Sequence, residues 1–338
     1  RGGTPSENMV LVDGAMIYKP FHILSFFSPF PDNLVASADF YPGGFGAKYS
    51  GRVSSVLDIE MKHGDRLRYG GSASISPFLG DVMVQGPIRN GELSFIVAAK
   101  KSIIEETSGS FMNEVQPLQF ESQFVKLSKI QDDSQCSGML LRTYDRGKID
   151  FESDERIEWQ NLVVSAKCEA INENFYSYLS SSISRLDNAS INTDRTYTSD
   201  ITQFNTNLNL AAFKGDIRMD FGVYWKVEWL NYDLAGRVSG LDKNSDDPLS
   251  KGGHIQFTIP IGENINMETG LAVASYSPYP WSFEPRLRIS WSPFGEDKGE
   301  LSGALGIYRQ MIVGFSDQRD ATGVFVTWTQ TPWPNEQP

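Results

Sequence analysis

Nowhere in its 338 residues does this sequence contain the roughly 18 consecutive apolar side chains that a membrane-spanning helix needs. A helical membrane protein is excluded. Cysteine is scarce: Cys136 and Cys168 are too few for a disulfide scaffold and lack zinc-site spacing. The three histidines, His22, His63 and His254, are scattered, and no Ser/His/Asp set, carboxylate pair or metal cluster rises above chance placement. No enzyme activity, metal site or cofactor is therefore expected. Basic clusters are missing as well, with 30 Lys and Arg against 42 Asp and Glu and a net charge of −12. Phosphate backbones bind clustered cations, so nucleic acid is not an expected partner. The chain opens on Arg1 without Met or a signal-peptide pattern and shows no obvious closing strand, which reads as an internal piece of a longer polypeptide.

What is present is glycine, aromatic residues and alternation. A mean hydropathy of −0.31 fits a soluble protein or a transmembrane barrel, because lipid-facing apolar residues of a barrel alternate with polar lumen residues. Periodicity separates the two. In Thr202 to Phe213, Phe204, Thr206, Leu208, Leu210 and Ala212 share one face, opposite Gln203, Asn205, Asn207 and Asn209. A row of amides suits a wet lumen, not a dry core. Between Ile217 and Asn231 the apolar face carries Met219, Phe221, Val223, Trp225, Val227 and Trp229, more than the ~9–11 residues of a tilted spanning strand require. The same pattern recurs at Leu162 to Cys168, Ile255 to Ile261 and Phe283 to Trp291.

Connections sort by length. Arg89-Asn90-Gly91, Asp132-Asp133-Ser134, Asn172-Glu173-Asn174 and Lys214-Gly215-Asp216 read as tight turns. They alternate with long polar stretches at 102–118, 145–156, 186–196 and 233–253. Short periplasmic turns and long extracellular loops are the habit of outer-membrane barrels. About thirteen strands are expected between residues 66 and 310, with Thr327 to Pro338 read as part of an extracellular loop.

The first sixty-odd residues differ: short strands at Met9 to Asp13, Val35 to Tyr41 and Val53 to Met61 surround a Pro/Phe-rich stretch and a Gly-rich one, Pro42 to Gly51. The glycines lack the Gly-Lys-Ser/Thr of a phosphate-binding loop. Arg1-Gly2-Gly3, Val10-Leu11-Val12-Asp13-Gly14, the run Tyr41-Pro42-Gly43-Gly44-Phe45-Gly46-Ala47-Lys48-Tyr49-Ser50-Gly51-Arg52, and Ser54-Ser55-Val56-Leu57-Asp58-Ile59 resemble the second half of the plug of TonB-dependent receptors, of the Bacteroidota type. Glu284-Pro285-Arg286 and the stretch 307–328 extend the resemblance into the barrel.

The resemblance implies an all-β chain: the C-terminal part of a small mixed α/β plug domain (1–63) followed by the N-terminal part of a large antiparallel transmembrane β-barrel (64–338), incomplete against the family's 22 strands. It implies a Gram-negative outer membrane, with lipid around the barrel, and import of a scarce nutrient such as a siderophore, cobalamin, a glycan or a peptide. A TonB-type energising complex, reached through a segment upstream of Arg1, is the implied partner, with a surface lipoprotein as a further one. A passive porin-like or adhesin barrel is the alternative, and a soluble all-β binding protein a third. By resemblance Lys19 to Phe30 is an apical plug loop, which puts His22, Phe26 and Phe27 near the ligand; Tyr276, Tyr279 and Trp281 stand at an extracellular hairpin, as ligand contacts or as interfacial anchors. Arg1 and Lys48 match basic positions that pair with lumen carboxylates of the barrel, although Lys48 replaces a more usual arginine. Cys136 and Cys168 are expected on neighbouring strands, opposed but unbonded, because directly opposed side chains stand parallel.

Overall fold

The computed structural model describes residues 3–22, 27–110, 115–148, 154–238, 241–277, 279, 281–294, 299–316 and 325–331. The N-terminal part forms a four-stranded sheet from β1 (Met9–Val12), β2 (Ala15–Met16), β3 (Val35–Tyr41) and β4 (Val56–Met61), in the order β2-β1-β4-β3. β1 and β4 are parallel and the other pairs antiparallel. Asp13 and Gly14 join β1 to β2 with φ of 47° and 78°, the left-handed pair that a two-residue hairpin demands and that Asp-Gly tolerates.

The rest builds a wall. It runs through β5 (Gly70–Ile75), β6 (Leu79–Ile88), β7 (Leu93–Ser102), β8 (Leu118–Ile130), β9 (Ser134–Gly147), β10 (Arg156–Ile171) and β11 (Phe175–Ile191). It continues through β12 (Thr196–Lys214), β13 (Ile217–Val238), β15 (Leu249–Ile261), β16 (Ile265–Tyr276), β17 (Ser282–Trp291) and β18 (Leu301–Gly306), while β14 (Leu241–Asp246) pairs back onto β13. These thirteen strands of the main path are those expected from alternation, each antiparallel to its neighbours in the wall.

The short joints fold as expected. At Asn172 the side-chain oxygen accepts from the backbone N–H of Asn174 and Phe175 at 3.0 and 2.8 Å, closing the β10–β11 turn. The long joints do not all remain loops. β11 and β12 run on until only 192–195 separates them, and β13 continues to Val238. At ~3.3 Å per residue the 19 residues of β12 extend about 63 Å, and even tilted by ~45° they rise about 44 Å, well beyond the ~30 Å of hydrocarbon. Apolar alternation stops where lipid stops, but ladder hydrogen bonding still satisfies the backbone beyond it, so the ribbon continues through polar sequence.

The wall has the polarity of a lipid-embedded surface. Val223 is 59% exposed on the outer face, whereas Glu228 on the inner face is 5% exposed. Val82, Val97, Leu179, Ile183, Leu208 and Ile289 continue the exposed apolar belt, while Ser122, Lys126, Thr143, Asn161 and Gln203 are buried inside. An apolar surface this continuous is not one that water tolerates. The plug packs on the inner face through two apolar clusters. Val12, Ile17, Phe30 and Met61 meet Ile96, Phe124, Leu141 and Val163; Met16, Tyr18 and Phe45 meet Trp159, Leu186, Ile201 and Leu230.

One expectation gains detail and one is corrected. Residues 327–330, in the stretch read as an extracellular loop, lie outside the wall in β20 (Val326–Gln330), which pairs with β19 (Ile312–Ser316) and buries Trp328 5.1 Å from Tyr18. Residues 332–338 lie outside the described residues. Cys136 and Cys168 are opposed on neighbouring strands as expected, yet they are disulfide-bonded. Their Cα atoms approach to 4.1 Å, close to the narrow spacing of antiparallel pairs, and at that separation the sulfurs meet despite parallel side chains. The bond lies on the exposed outer face near the short-turn end. Unfolded, unreduced protein should therefore take up no maleimide-linked polyethylene glycol and should gain two adducts after reduction; adducts without reductant would contradict the bond.

Candidate functional site

The interface between plug and wall concentrates the buried polar chemistry. The Asp13-Gly14 turn aims a carboxylate at the wall: Oδ1 accepts from Met61 N–H at 3.0 Å and Oδ2 lies 2.8 Å from Lys126 Nζ. Lys126 also donates to the Met61 carbonyl at 2.7 Å, and both side chains are almost wholly buried. A second latch holds the loop after β2. His22 Nδ1 lies 3.0 Å from Asp145 Oδ2 and Nε2 lies 2.6 Å from Ser122 Oγ, with the ring stacked 4.5 Å from Phe120. Serine, histidine and carboxylate stand in a hydrolase-like order, but His22 and Asp145 have no exposed surface and Ser122 almost none, so no scissile group can reach them. Their geometry fixes the plug loop to β8 and β9. Beside them Asn161 bridges the Lys19 carbonyl and Thr143 Oγ1, both at 3.0 Å.

The third latch starts from the wall. Arg286 Nη1 donates to the carbonyls of Gly46 and Tyr49, each at 2.6 Å, while Nη2 pairs with Glu284 at 2.9 Å. Its guanidinium lies 4.4 Å from the Tyr308 ring centre and 5.2 Å from that of Phe45. The Gly-rich stretch is explained by this approach. A Cβ on Gly46 would stand 2.4 Å from Gln256 Oε1, and one on Gly44 2.4 Å from Ala304 Cβ. At the short-turn end His63 sits between Ser128 Oγ at 2.6 Å and the Gln135 amide at 2.8 Å. Burial, and then the Lys126 charge, push its imidazole below the ordinary value, and a neutral ring can donate at one nitrogen and accept at the other.

Between the latches plug and wall leave a polar seam. A cavity of about 110 Å³ separates Met9, Leu11 and Met16 from the amide row Gln203, Asn205, Asn207 and Asn209. A second of about 210 Å³, reaching Lys167, Arg218 and Asp220, continues toward the short-turn end. The two share Lys48, Asp58, Tyr178, Ser180, Asn209 and His254, so they adjoin. Small Ser180, opposite Asn207, lines both cavities, whereas the room left by Gly222 is filled by His254 and Asn209.

The residues singled out in the sequence are distributed over this interface. Arg1 and Phe26 lie outside the described residues. His22 is the core of the second latch, and Phe27 packs 4.9 Å from Phe120 beside it. Tyr276 points inward and is 8% exposed, Tyr279 is half-buried, and Trp281 faces outward with Phe283. Lys48 does not meet a wall carboxylate among the described residues. Its ion pair, at 3.8 Å, is with the plug's own Asp58, which also accepts from Tyr49 Oη at 2.8 Å. Burial and that carboxylate raise the Tyr49 phenol well above its usual value. The wall carboxylates that the resemblance assigns to Arg1 and Lys48 are expected beyond residue 338, so the Asp58 contact leaves that pairing open. Asp13, Lys126, Asp145 and Ser122 were not anticipated, although a lone mid-strand lysine on an inward face is a readable sign.

No protein-family model matches the sequence, and no curated protein matches it. Solved structures do. The siderophore receptor PirA from Pseudomonas aeruginosa is 14% identical, with 94% of this chain aligned to 56% of that one at a TM-score of 0.68. The FrpB iron transporter from Neisseria meningitidis is 13% identical over 93% of this chain and 58% of its own, at 0.66. The alcaligin outer-membrane receptor FauA from Bordetella pertussis is 13% identical over 95% and 57%, at 0.60. The class this establishes is one of fold: the plug-and-barrel fold of TonB-dependent receptors. This chain spans a little over half the length of those structures.

Proposed function

We propose that the chain is part of an energised outer-membrane importer of a Gram-negative bacterium, in which a TonB-type complex shifts the plug so that a scarce nutrient passes. The observation that carries this reading is how the plug is held. Discrete buried latches at Asp13–Lys126, His22–Asp145 and Arg286 bracket a polar seam along the wall, an arrangement that can open by breaking a few contacts. A passive porin would have no use for a latched plug. Siderophore-bound iron is the first nutrient to test, because it is the cargo named for similar structures. In this reading Phe27 and Tyr279 flank the ligand side, with lipid around the outer belt and a surface lipoprotein as a further partner.

A lock tests it. A Cβ on Gly270 would lie 3.0 Å from Ala47 Cβ and 2.9 Å from the Ile255 carbonyl, so A47C/G270C in a C136A/C168A background can staple the Gly-rich loop to β16 once β16 shifts away from β15 by a few tenths of an ångström. Full-length receptor should restore uptake of one of a panel of siderophore-iron, cobalamin, glycan and peptide nutrients to a receptor-null strain. Oxidising the staple should abolish that uptake and reductant should return it. Uptake that survives both the staple and loss of the proton-motive force would favour a passive pore.

A further inference from the structure

The seam carries buried polar atoms without partners, among them the Asn205 side-chain oxygen and, beside it, two cations. On β13, Lys226 lies opposite Asn205 and Ser250 on the inner face, and its Nζ lies 3.5 Å from where a Cβ on Gly51 would stand. Among the described residues no carboxylate, carbonyl or hydroxyl accepts a hydrogen bond from this ammonium; its contact is the Tyr224 ring, 5.7 Å away. The next plug residue is Arg52, 5% exposed, which lines the same cavity. Arg52 spends Nη1 on the Gly51 and Ile312 carbonyls and leaves a buried Nε–H without a partner. Two cations thus converge on one bend of the plug, where like charges repel.

Two nearby carboxylates bear on this pair: Asp58 is taken up by its own partners, while Glu228 offers its charge to Lys226 but no hydrogen bond, so one carboxylate faces two cations. Glu228 accepts from Gln203 at 2.8 Å, and Asp58 is held by Lys48 and Tyr49. In a chain of net charge −12, this is a local site of the opposite sign. An anion lying between Lys226 and Arg52 would supply both missing acceptors, and the amides of Asn205 and Asn207 would remain to meet hydroxyl groups beside it.

The geometry points to an anion-binding subsite in the seam, centred on Lys226 and Arg52, that takes a carboxylate-bearing, hydroxyl-rich solute on its way past the plug. This rests on the import reading and adds the chemical class of the cargo.

Citrate is the probe, titrated calorimetrically into full-length receptor in detergent. Wild type should bind it saturably, K226Q at least about tenfold more weakly, and K226R nearly as well as wild type, since one charge-assisted hydrogen bond is at stake. K251Q, on the exposed outer face, should match wild type, and heat-modifiable electrophoretic mobility should show every variant folded. Neutral glycerol should give no signal. Absence of saturable citrate binding to wild type, or equal affinity in K226Q, would overturn the subsite. Because binding is read without energisation, such a failure leaves the import reading standing, whereas a wild-type receptor that restores no nutrient in the uptake panel would count against import alone.

Discussion

Replacing Asp13 by Asn should loosen the plug by about 3–5 kcal/mol, because it leaves the Lys126 ammonium charged and buried without its counter-ion. Asparagine keeps the left-handed turn at φ 47° and can still accept from Met61 N–H, so the change isolates charge from backbone strain. The Met61 carbonyl remains for Lys126 at 2.7 Å, but a neutral acceptor does not compensate a full charge at 2% exposure. The measurement is amide hydrogen exchange of β1 in the full-length receptor, where the opening free energy reads plug seating without unfolding the wall. The double variant D13N/K126M removes both charges and should recover most of the loss, since a buried pair replaced by apolar packing is often close to neutral. A D13N opening energy within about 1 kcal/mol of wild type would show that the pair is solvated and does not hold the plug.

The fold was legible because alternation is a direct consequence of the pleat: once Phe221, Val223 and Trp225 are read on one face, Asp220, Tyr224 and Lys226 must occupy the other. Turn chemistry fixed the strand boundaries at the tight ends, as at Asn172 and Gly215. The long ends were not legible, because extension of β11, β12 and β13 into polar sequence depends on a partner strand and leaves no hydropathy signal. The plug–wall latches were hidden for a related reason. Asp13 and Lys126 are 113 positions apart, as 126 − 13 gives, and His22 and Asp145 are separated by 123, so nothing local links them. Sequence patterns showed which residues face inward, but not which plug residue stands opposite them. The cysteines lay between these cases: their register followed from the hairpin, while the bond depended on a Cα spacing that register does not determine.

Exchanging the faces of one strand pair should give the clearest energetic contrast in the wall. Val223→Arg places a charge in the outer apolar belt, where Leu208, Leu210, Phe221, Ile255 and Leu271 line a groove with almost no polar surface. Near the midplane of a bilayer an arginine on the lipid face costs about 2–4 kcal/mol. Asn207→Arg lies on the neighbouring strand but faces the seam, next to Tyr224 in the register and beside Ser180 Oγ at 3.5 Å, where water and polar groups can take the guanidinium. Its cost should stay within about 1 kcal/mol, the range of substitutions outside a packed core. Reversible unfolding by guanidinium chloride from lipid vesicles measures both. The two substitutions are one residue step apart across β12 and β13, where Val223 pairs with Leu208 and Tyr224 with Asn207, so depth in the membrane is nearly matched and the difference isolates the face. Equal losses would mean that both sides of the wall are equally wet, which a lipid-embedded barrel cannot be.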